Sequence, residues 1–147
     1  NSIYSLTLLQ PDRAPLAVLK LSGLLRFLLY EAQADRIPLE KEISLLQDFI
    51  DLQQLRIPSG KADIQLQITG DVAKVEIAPL LLLPLLENAF KHGVKAENRH
   101  SFVHVLIEVD SQIRVTIRNN VGKIDEIVRD EQGGIGLANV RKRLELL

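Results

Sequence analysis

The sequence predicts an α+β domain preceded by a helical segment, and three observations support this. Apolar residues in the first third recur at helical spacing, three later stretches alternate apolar with polar residues, and an apolar helix follows the first of these stretches. Such spacing and such alternation are typical of amphipathic helices and half-buried strands. The length of 147 residues suits one domain with a helical attachment.

The helical segment begins after Pro15. Its apolar residues form two sides. One side is a heptad-like stripe suited to a partner helix and consists of Val18, Leu21, Leu25, Leu28 and Ala32. The other side consists of Leu16, Leu19, Leu24 and Phe27. Residues 35–38 break this pattern, and Pro38 is expected in the first turn of a second helix. The apolar faces of that helix run from Leu39 to Leu52, and Pro58-Ser59-Gly60 ends it.

The alternating part begins with a strand at residues 64–68, and residues 73–77 suggest a short second strand. Pro79 is expected to open a helix that runs to about His92, with a kink at Pro84 and Gly93 as the first residue beyond its end.

Two further strands are predicted at residues 103–109 and 113–117, and the short link between them indicates an antiparallel hairpin. Residues 121–132 are polar and read as a loop, after which helical spacing returns at Leu137.

Composition excludes several classes of protein. Apolar residues make up 46% and charged residues 25%, as in soluble globular proteins. The net charge of -1 gives no basic field for nucleic acid, and the absence of cysteine excludes disulfides and thiolate metal sites. The longest apolar run, residues 77–86, is too short to span a bilayer. The chain starts without Met and stops inside a helical pattern, so we expect a fragment of a longer protein.

A first polar motif lies at the end of the apolar helix. Helical geometry places Asn88, Lys91 and His92 on one face, and Glu87 lies four residues before Lys91. A carboxamide oxygen suits Mg²⁺, and an ammonium suits phosphate. The competing interpretation is an ordinary solvated helix end with a Glu–Lys pair.

A second motif is the glycine run Gly133-Gly134-Ile135-Gly136, which precedes a helix. Glycines there allow backbone N–H groups to approach phosphate oxygens. The alternative is a tight turn, because the run lacks the lysine ending of a P-loop and follows no strand.

Taken together, the motifs resemble LytS-type sensor histidine kinases over nearly the whole chain. The stretches that carry the resemblance, in order, are residues 24–27 (LLRF), 37–42 (IPLEKE), 54–56 (QLR), 78–79 (AP), 84–93 (PLLENAFKHG) and 134–144 (GIGLANVRKRL).

The resemblance implies a two-layer α/β sandwich of the GHKL ATPase type behind a helical hairpin. It implies that residues 1–35 belong to the dimerisation and phosphoacceptor region and that residues 36–147 are the ATP-binding domain, truncated at its end. Glu87 would orient the nucleophile, Asn88 would bind Mg²⁺, and Lys91 and His92 would face the ATP phosphates. Gly134, Gly136 and Leu137 would belong to the second glycine box, under the lid over the triphosphate, and Asn139 would be a neighbour of the phosphates.

The sequence departs from the family pattern at three places, the last of which is the C-terminus, where the family's last sheet strands would follow Leu147. Asn119, or alternatively Asn120, stands where the family has its adenine-binding aspartate, and an amide accepts a hydrogen bond more weakly than a carboxylate. The phosphoacceptor histidine belongs to an Asn-Pro-His stretch expected upstream of Asn1.

His100 and His104 are four residues apart without a third ligand, so a surface pair is favoured over zinc.

The leading hypothesis is therefore the ATP- and Mg²⁺-binding catalytic portion of a two-component sensor histidine kinase. We expect it to phosphorylate a histidine outside this chain, to serve a response regulator, and to form a homodimer in the full-length protein. Its expected location is the cytoplasmic side of an inner-membrane sensor, attached to the membrane only through other segments. The alternatives are a degenerate kinase domain that binds nucleotide or only dimerises, and a gyrase- or MutL-like ATPase, which the neutral charge and helical stripe disfavour.

Overall fold

The computed structural model describes residues 11–94, 101–120 and 140. In chain order its elements are helix α1 (Ala14–Arg26), strand β1 (Ile37–Pro38), helix α2 (Leu39–Gln54), strands β2 (Ala62–Gly70) and β3 (Glu76–Ile77), helix α3 (Leu83–Gly93), and strands β4 (Ser101–Val109) and β5 (Ile113–Asn119). A 3-10 turn precedes α1, and a π-helical turn, Phe27–Glu31, follows it. The protein is thus a mixed helix and sheet structure, as predicted.

The main sheet has the strand order β2-β4-β5. The β4–β5 pair is the antiparallel hairpin that the alternation predicts, with Val109 opposite Ile113 next to the turn. Strand β2 pairs with β4 in parallel, from Ala62 opposite Ser101 to Gly70 opposite Val109. Parallel neighbours need a crossover connection, and α3 lies within it. Of the predicted strand at residues 73–77, only β3 forms, and it pairs with β1.

The core lies between the helices and one face of the sheet. On β4, Val103, Val105 and Ile107 are buried, while the residues between them are only half-buried. These side chains belong to one apolar cluster with Leu46 of α2 and Leu86 of α3. Each fully buried side chain of this kind contributes about 1.5–3 kcal/mol. The arrangement is compatible with an α/β sandwich.

Helix α1 packs against α2 through only one of its two predicted apolar sides. Leu24 and Phe27 are buried, whereas the stripe residues Val18, Leu25 and Leu28 are exposed. The contact also has ionic links, because Lys20 Nζ lies 2.9 Å from Asp48 Oδ1 and 2.7 Å from Asp51 Oδ2. The packed face of this segment therefore combines apolar side chains, which also include the buried Ala14 and Ala17, with an ion-paired lysine. Residues 1–10, the expected tail of the acceptor helix, lie outside the described residues.

The prediction that Pro38 lies in the first turn of the second helix is wrong by one position. Pro38 is the N-cap of α2, with φ −53° and ψ 134°, and pairs with Glu76 in the small sheet. The Leu39 N–H then donates to the Val75 carbonyl over 2.8 Å. The helix begins after Pro38 because that residue's extended backbone is needed for strand pairing.

The start of α3 also differs from the prediction. Pro79 is buried but does not open the helix, which begins at Leu83. Pro84 consequently lies in the first turn, where a missing N–H costs nothing and no kink results. Among residues 11–94, 101–120 and 140, no helix is long and apolar enough to cross a membrane.

Candidate functional site

The last turns of α3 carry the four polar residues that the first motif predicts. Glu87, Lys91 and His92 are exposed and Asn88 is half-buried. The opposite side of the helix is buried through Leu86, Ala89, Phe90 and Gly93. The ring of Phe90 packs edge-on against Phe49 of α2, with ring centroids 5.6 Å apart. An apolar anchor thus fixes the helix and leaves a polar edge at its C-terminal end.

Gly93 ends α3 for a reason other than the one predicted. The helix includes Gly93, Val94 is its C-cap, and the φ of Gly93 is not positive, so the prediction that Gly93 lies beyond the helix end is wrong. A Cβ at Gly93 would lie 2.7 Å from the Asn119 Cβ and 3.3 Å from the Phe102 carbonyl oxygen. The glycine is required because the helix end touches the end of β5.

Asn119 and Asn120, the two candidates for the adenine-binding position, have different surroundings. The Asn120 side-chain oxygen accepts a hydrogen bond from the Phe102 N–H, and this contact ties the end of the hairpin to the start of β4. The Asn119 side-chain nitrogen donates to the Asn120 carbonyl over 2.7 Å. Asn119 lies directly beside Gly93. Of the two, Asn119 is therefore the one held against the polar end of α3.

A buried acid lies behind the helix that carries the motif. Glu42 of α2 is fully buried, and its two side-chain oxygens accept hydrogen bonds from the Leu80 and Leu82 N–H groups, each over 2.9 Å. Burial raises the pKa of Glu42 above its ordinary value, and the backbone N–H groups of Leu82 and Leu80 oppose that rise. No role for this residue follows from its place in the sequence. Its signals in the sequence are an acid among the apolar positions of an amphipathic helix and a place in the stretch 37–42 that carries the resemblance.

A cleft of about 690 Å³ adjoins the same edge of α3. Glu87 and Lys91 contribute to its wall, together with Arg56 and Gln53 from the end of α2 and its following turn. Arg56 Nη1 donates to Gln53 Oε1 over 3.5 Å. The predicted catalytic acid therefore faces open space that is large enough for an approaching side chain.

The remaining predicted residues divide into two groups. His104 Nε2 lies 2.7 Å from Asp63 Oδ2, so this histidine is hydrogen-bonded to a surface acid, and His100 lies outside the described residues. The glycine-box residues Gly134, Gly136 and Leu137 and the predicted phosphate neighbour Asn139 also lie outside them, as does the predicted loop at residues 121–132. Within the part of the chain that is described, no three His, Asp or Glu side chains group as a metal site.

Comparison with known proteins supports the resemblance. A family model described as "Histidine kinase" matches residues 1–60. The chain is 30% identical to the "Sensor protein LytS" of Staphylococcus haemolyticus, an alignment that covers 98% of the chain and 26% of the relative. It is also 30% identical to the "Sensor histidine kinase YpdA" of Escherichia coli, over 100% of the chain and 27% of the relative.

A third relative, the "Sensor histidine kinase/phosphatase LytS" of Staphylococcus aureus, is 27% identical over 99% of the chain and 27% of its own length. The chain thus spans about a quarter of the length of the curated relatives it matches. The resemblance read from the motifs is confirmed, and over nearly its full length this chain is a homologue of part of the LytS-type sensor histidine kinases.

Proposed function

We propose that this chain is the ATP-binding catalytic portion of a sensor histidine kinase, with residues 1–35 in the dimerisation region and residues 36–147 in a GHKL-type domain. The observation that carries the proposal is the contact between Gly93 and Asn119. It brings the C-terminal end of α3, the helix that carries the residues suited to metal and phosphate, against the strand end suited to the base.

The donor set at this edge fits Mg²⁺ bound together with a nucleotide. Mg²⁺ retains several waters and takes few protein ligands, so one half-buried carboxamide, Asn88, is sufficient beside phosphate oxygens. When bound, the metal would supply charge neutralisation for the phosphates. Lys91 and His92 would face the phosphates one turn further along, and Gly134, Gly136, Leu137 and Asn139 would close over them.

The base end of the nucleotide is assigned to Asn119. Asn120 already uses its side-chain oxygen on the Phe102 N–H, which leaves Asn119 as the better acceptor for the adenine amino group. An amide there supports a weaker hydrogen bond than a carboxylate would. We therefore expect modest affinity for the nucleotide.

Glu87 would act on the incoming histidine. Its exposed side chain lines the 690 Å³ cleft, where it can accept a hydrogen bond from an imidazole and orient the ring. In the transfer, the bond between the γ-phosphorus and the β–γ bridging oxygen breaks and a bond to an imidazole nitrogen forms. Positioning and charge neutralisation are the main contributions that a protein makes to such a step.

The proposal extends to the whole protein as follows. The acceptor histidine lies outside the described residues, a response regulator receives the phosphoryl group, and two copies associate through the helical region. The membrane is reached through segments outside this chain. The family named in the relatives' descriptions supports this assignment.

Titration calorimetry with a non-hydrolysable ATP analogue tests the proposal. Binding that needs Mg²⁺ and is lost in Asn88→Ala supports it. Gln54→Ala, which removes an exposed carboxamide from the end of α2, is the matched control and should bind normally. Absence of heat at millimolar nucleotide, where binding is worth only about 4 kcal/mol, would instead support the alternative of a degenerate domain.

A further inference from the structure

The start of α3 is held by a residue from another helix. Glu42 accepts the N–H groups of Leu80 and Leu82, one on each carboxylate oxygen. Leu82 is the N-cap of α3, so one of these bonds is made at the first residue of the helix boundary. A negative charge at this end of a helix is favourable, and hydrogen bonds to a carboxylate are stronger than neutral ones.

The segment that Glu42 holds has an unfavourable backbone conformation. Leu80 has φ 57°, the one positive φ at a non-glycine residue in the part of the chain that the structure describes. For a residue with a Cβ, this left-handed conformation persists only when surrounding contacts enforce it. The bond from the Leu80 N–H to Glu42 is such a contact. It explains why α3 begins at Leu83 and not at Pro79.

The place where α3 begins determines where its polar edge points. Asn88 lies five residues after Leu83, which is about 7.5 Å along a helix, and each residue turns the helix by about 100°. A shift of the whole helix by one residue against its neighbours would therefore rotate Glu87 and Asn88 by about a quarter turn. Glu42, which holds the start of α3, and the polar edge near the end of α3 are thus linked through one short helix.

We infer that Glu42 is a positioning residue for the reaction, because it sets the start of α3 and thereby the direction in which Glu87 and Asn88 point. This inference rests on the proposed function. It adds a role for a residue that contacts neither nucleotide nor metal.

The test compares the whole chain with its Glu42→Gln variant, which keeps the side-chain shape but only one acceptor oxygen. The measured quantity is the ratio of the ATP-analogue Kd without Mg²⁺ to the Kd with Mg²⁺. We expect this ratio to fall by about fivefold, the equivalent of one hydrogen bond, with the Mg²⁺-free Kd nearly unchanged. Ile50→Val, which removes a buried methyl group from the same helix and lowers stability, should leave the ratio unchanged.

A second variant, Leu80→Gly, relieves the backbone strain at residue 80, where the Glu42 hydrogen bond holds a positive φ. Leu80→Gly accepts a positive φ without steric strain, so adding it to Glu42→Gln should restore at least half of the lost ratio. The same double variant should also restore folding if Glu42→Gln alone does not fold. An unchanged ratio in folded Glu42→Gln, an equal fall in Ile50→Val, or no rescue by Leu80→Gly would overturn the inference.

Hydrogen exchange in the absence of ligand separates this inference from the proposed function. Faster exchange of the Leu80 and Leu82 amides and of the first turn of α3 in Glu42→Gln is the expected result. If the unaltered chain binds no nucleotide, the proposed function fails, while the exchange measurement still shows whether Glu42 holds the helix start. If the unaltered chain binds with Mg²⁺ and exchange is unaffected by Glu42→Gln, only the role of Glu42 is refuted.

Discussion

Gly93 and Asn119 touch across the gap between the end of α3 and the end of β5, so closely that a Cβ on Gly93 would lie 2.7 Å from the Asn119 Cβ. Two residues 26 positions apart in the sequence thus hold the two halves of the proposed nucleotide site together. The first prediction follows from this contact.

Gly93→Ala should destabilise the fold by about 1–3 kcal/mol, because the added methyl meets a strand residue and the Phe102 carbonyl, neither of which can move freely. Urea unfolding measures the loss. Gly23→Ala in α1 is the matched control: its Cβ would meet the end of the Asp48 side chain, which can rotate, and alanine favours a helix by about 1 kcal/mol. Equal destabilisation by both variants would show that the Gly93 contact has no special importance.

Asn119→Asp should tighten adenine nucleotide binding several-fold, because a carboxylate accepts the adenine amino hydrogen about twice as strongly as an amide does. Calorimetry with ADP measures the change, and GDP tests whether the gain is specific for adenine. Asn120→Asp keeps the acceptor for the Phe102 N–H and should leave affinity unchanged. If only Asn120→Asp tightens nucleotide binding, the residue that contacts adenine is Asn120 and not Asn119.

The chain alone should bind nucleotide without phosphorylating itself, because none of its three histidines occupies the family's acceptor motif. Incubation with radiolabelled Mg-ATP, followed by separation under alkaline conditions that preserve phosphohistidine, checks this expectation. Stable label on the purified chain would contradict it. This chain joined to a segment that carries the family's Asn-Pro-His acceptor motif provides the positive control.

Stability should fall as the pH rises above about 4.5, the ordinary pKa of a glutamic acid. Burial raises the pKa of Glu42 in the folded chain, so the folded state holds its proton more tightly than the unfolded state does. The contribution of this group is therefore fully present below the unfolded pKa and is lost as the pH passes through the folded one.

As the pH rises above about 4.5, the urea midpoint of unfolding should decline less in Glu42→Gln than in the unaltered chain. Glu40→Gln, at an exposed position in the first turn of the same helix, should retain the full decline. A decline that survives in Glu42→Gln would assign the pH dependence to other groups.

Lys20→Ala should weaken the packing of α1 on α2 and cost about 1 kcal/mol, because it removes the ion pairs to Asp48 and Asp51. Since both partners lie near the surface, high salt should reduce the difference. Urea unfolding at low and high salt measures it, with the exposed Lys74→Ala as control. A loss that is independent of salt would assign the effect to the packing of the Lys20 methylenes instead.

The parts of the fold that depend on local pattern could be predicted from the sequence. Alternation gave the β4–β5 hairpin, and helical spacing gave α2 and the polar edge of α3. The parallel pairing of β2 with β4 could not be predicted, because a strand's own pattern does not specify a partner 39 residues away, as Ser101 is from Ala62.

The errors have a common physical origin in contacts between distant residues. Pro79 has the properties of a helix start, but Glu42, from 37 positions earlier in the chain, binds the amides that follow it and delays the helix to Leu83. Gly93 has the properties of a residue beyond a helix end, but its lack of a side chain serves the contact with Asn119. The polar residues on α3 could be named from the sequence, whereas the contact between Gly93 and Asn119 could not.

The parallel pairing of β2 with β4 has a consequence for how the protein folds and unfolds. Because its partners are far apart in sequence, this pair must overcome a large loop-closure entropy, so we expect it to form later than the local hairpin. The connection that closes the loop contains α3. Helix α3, which carries the polar edge, is therefore also part of the connection that joins β2 to β4. We expect the sheet and the proposed site to unfold as a single cooperative unit.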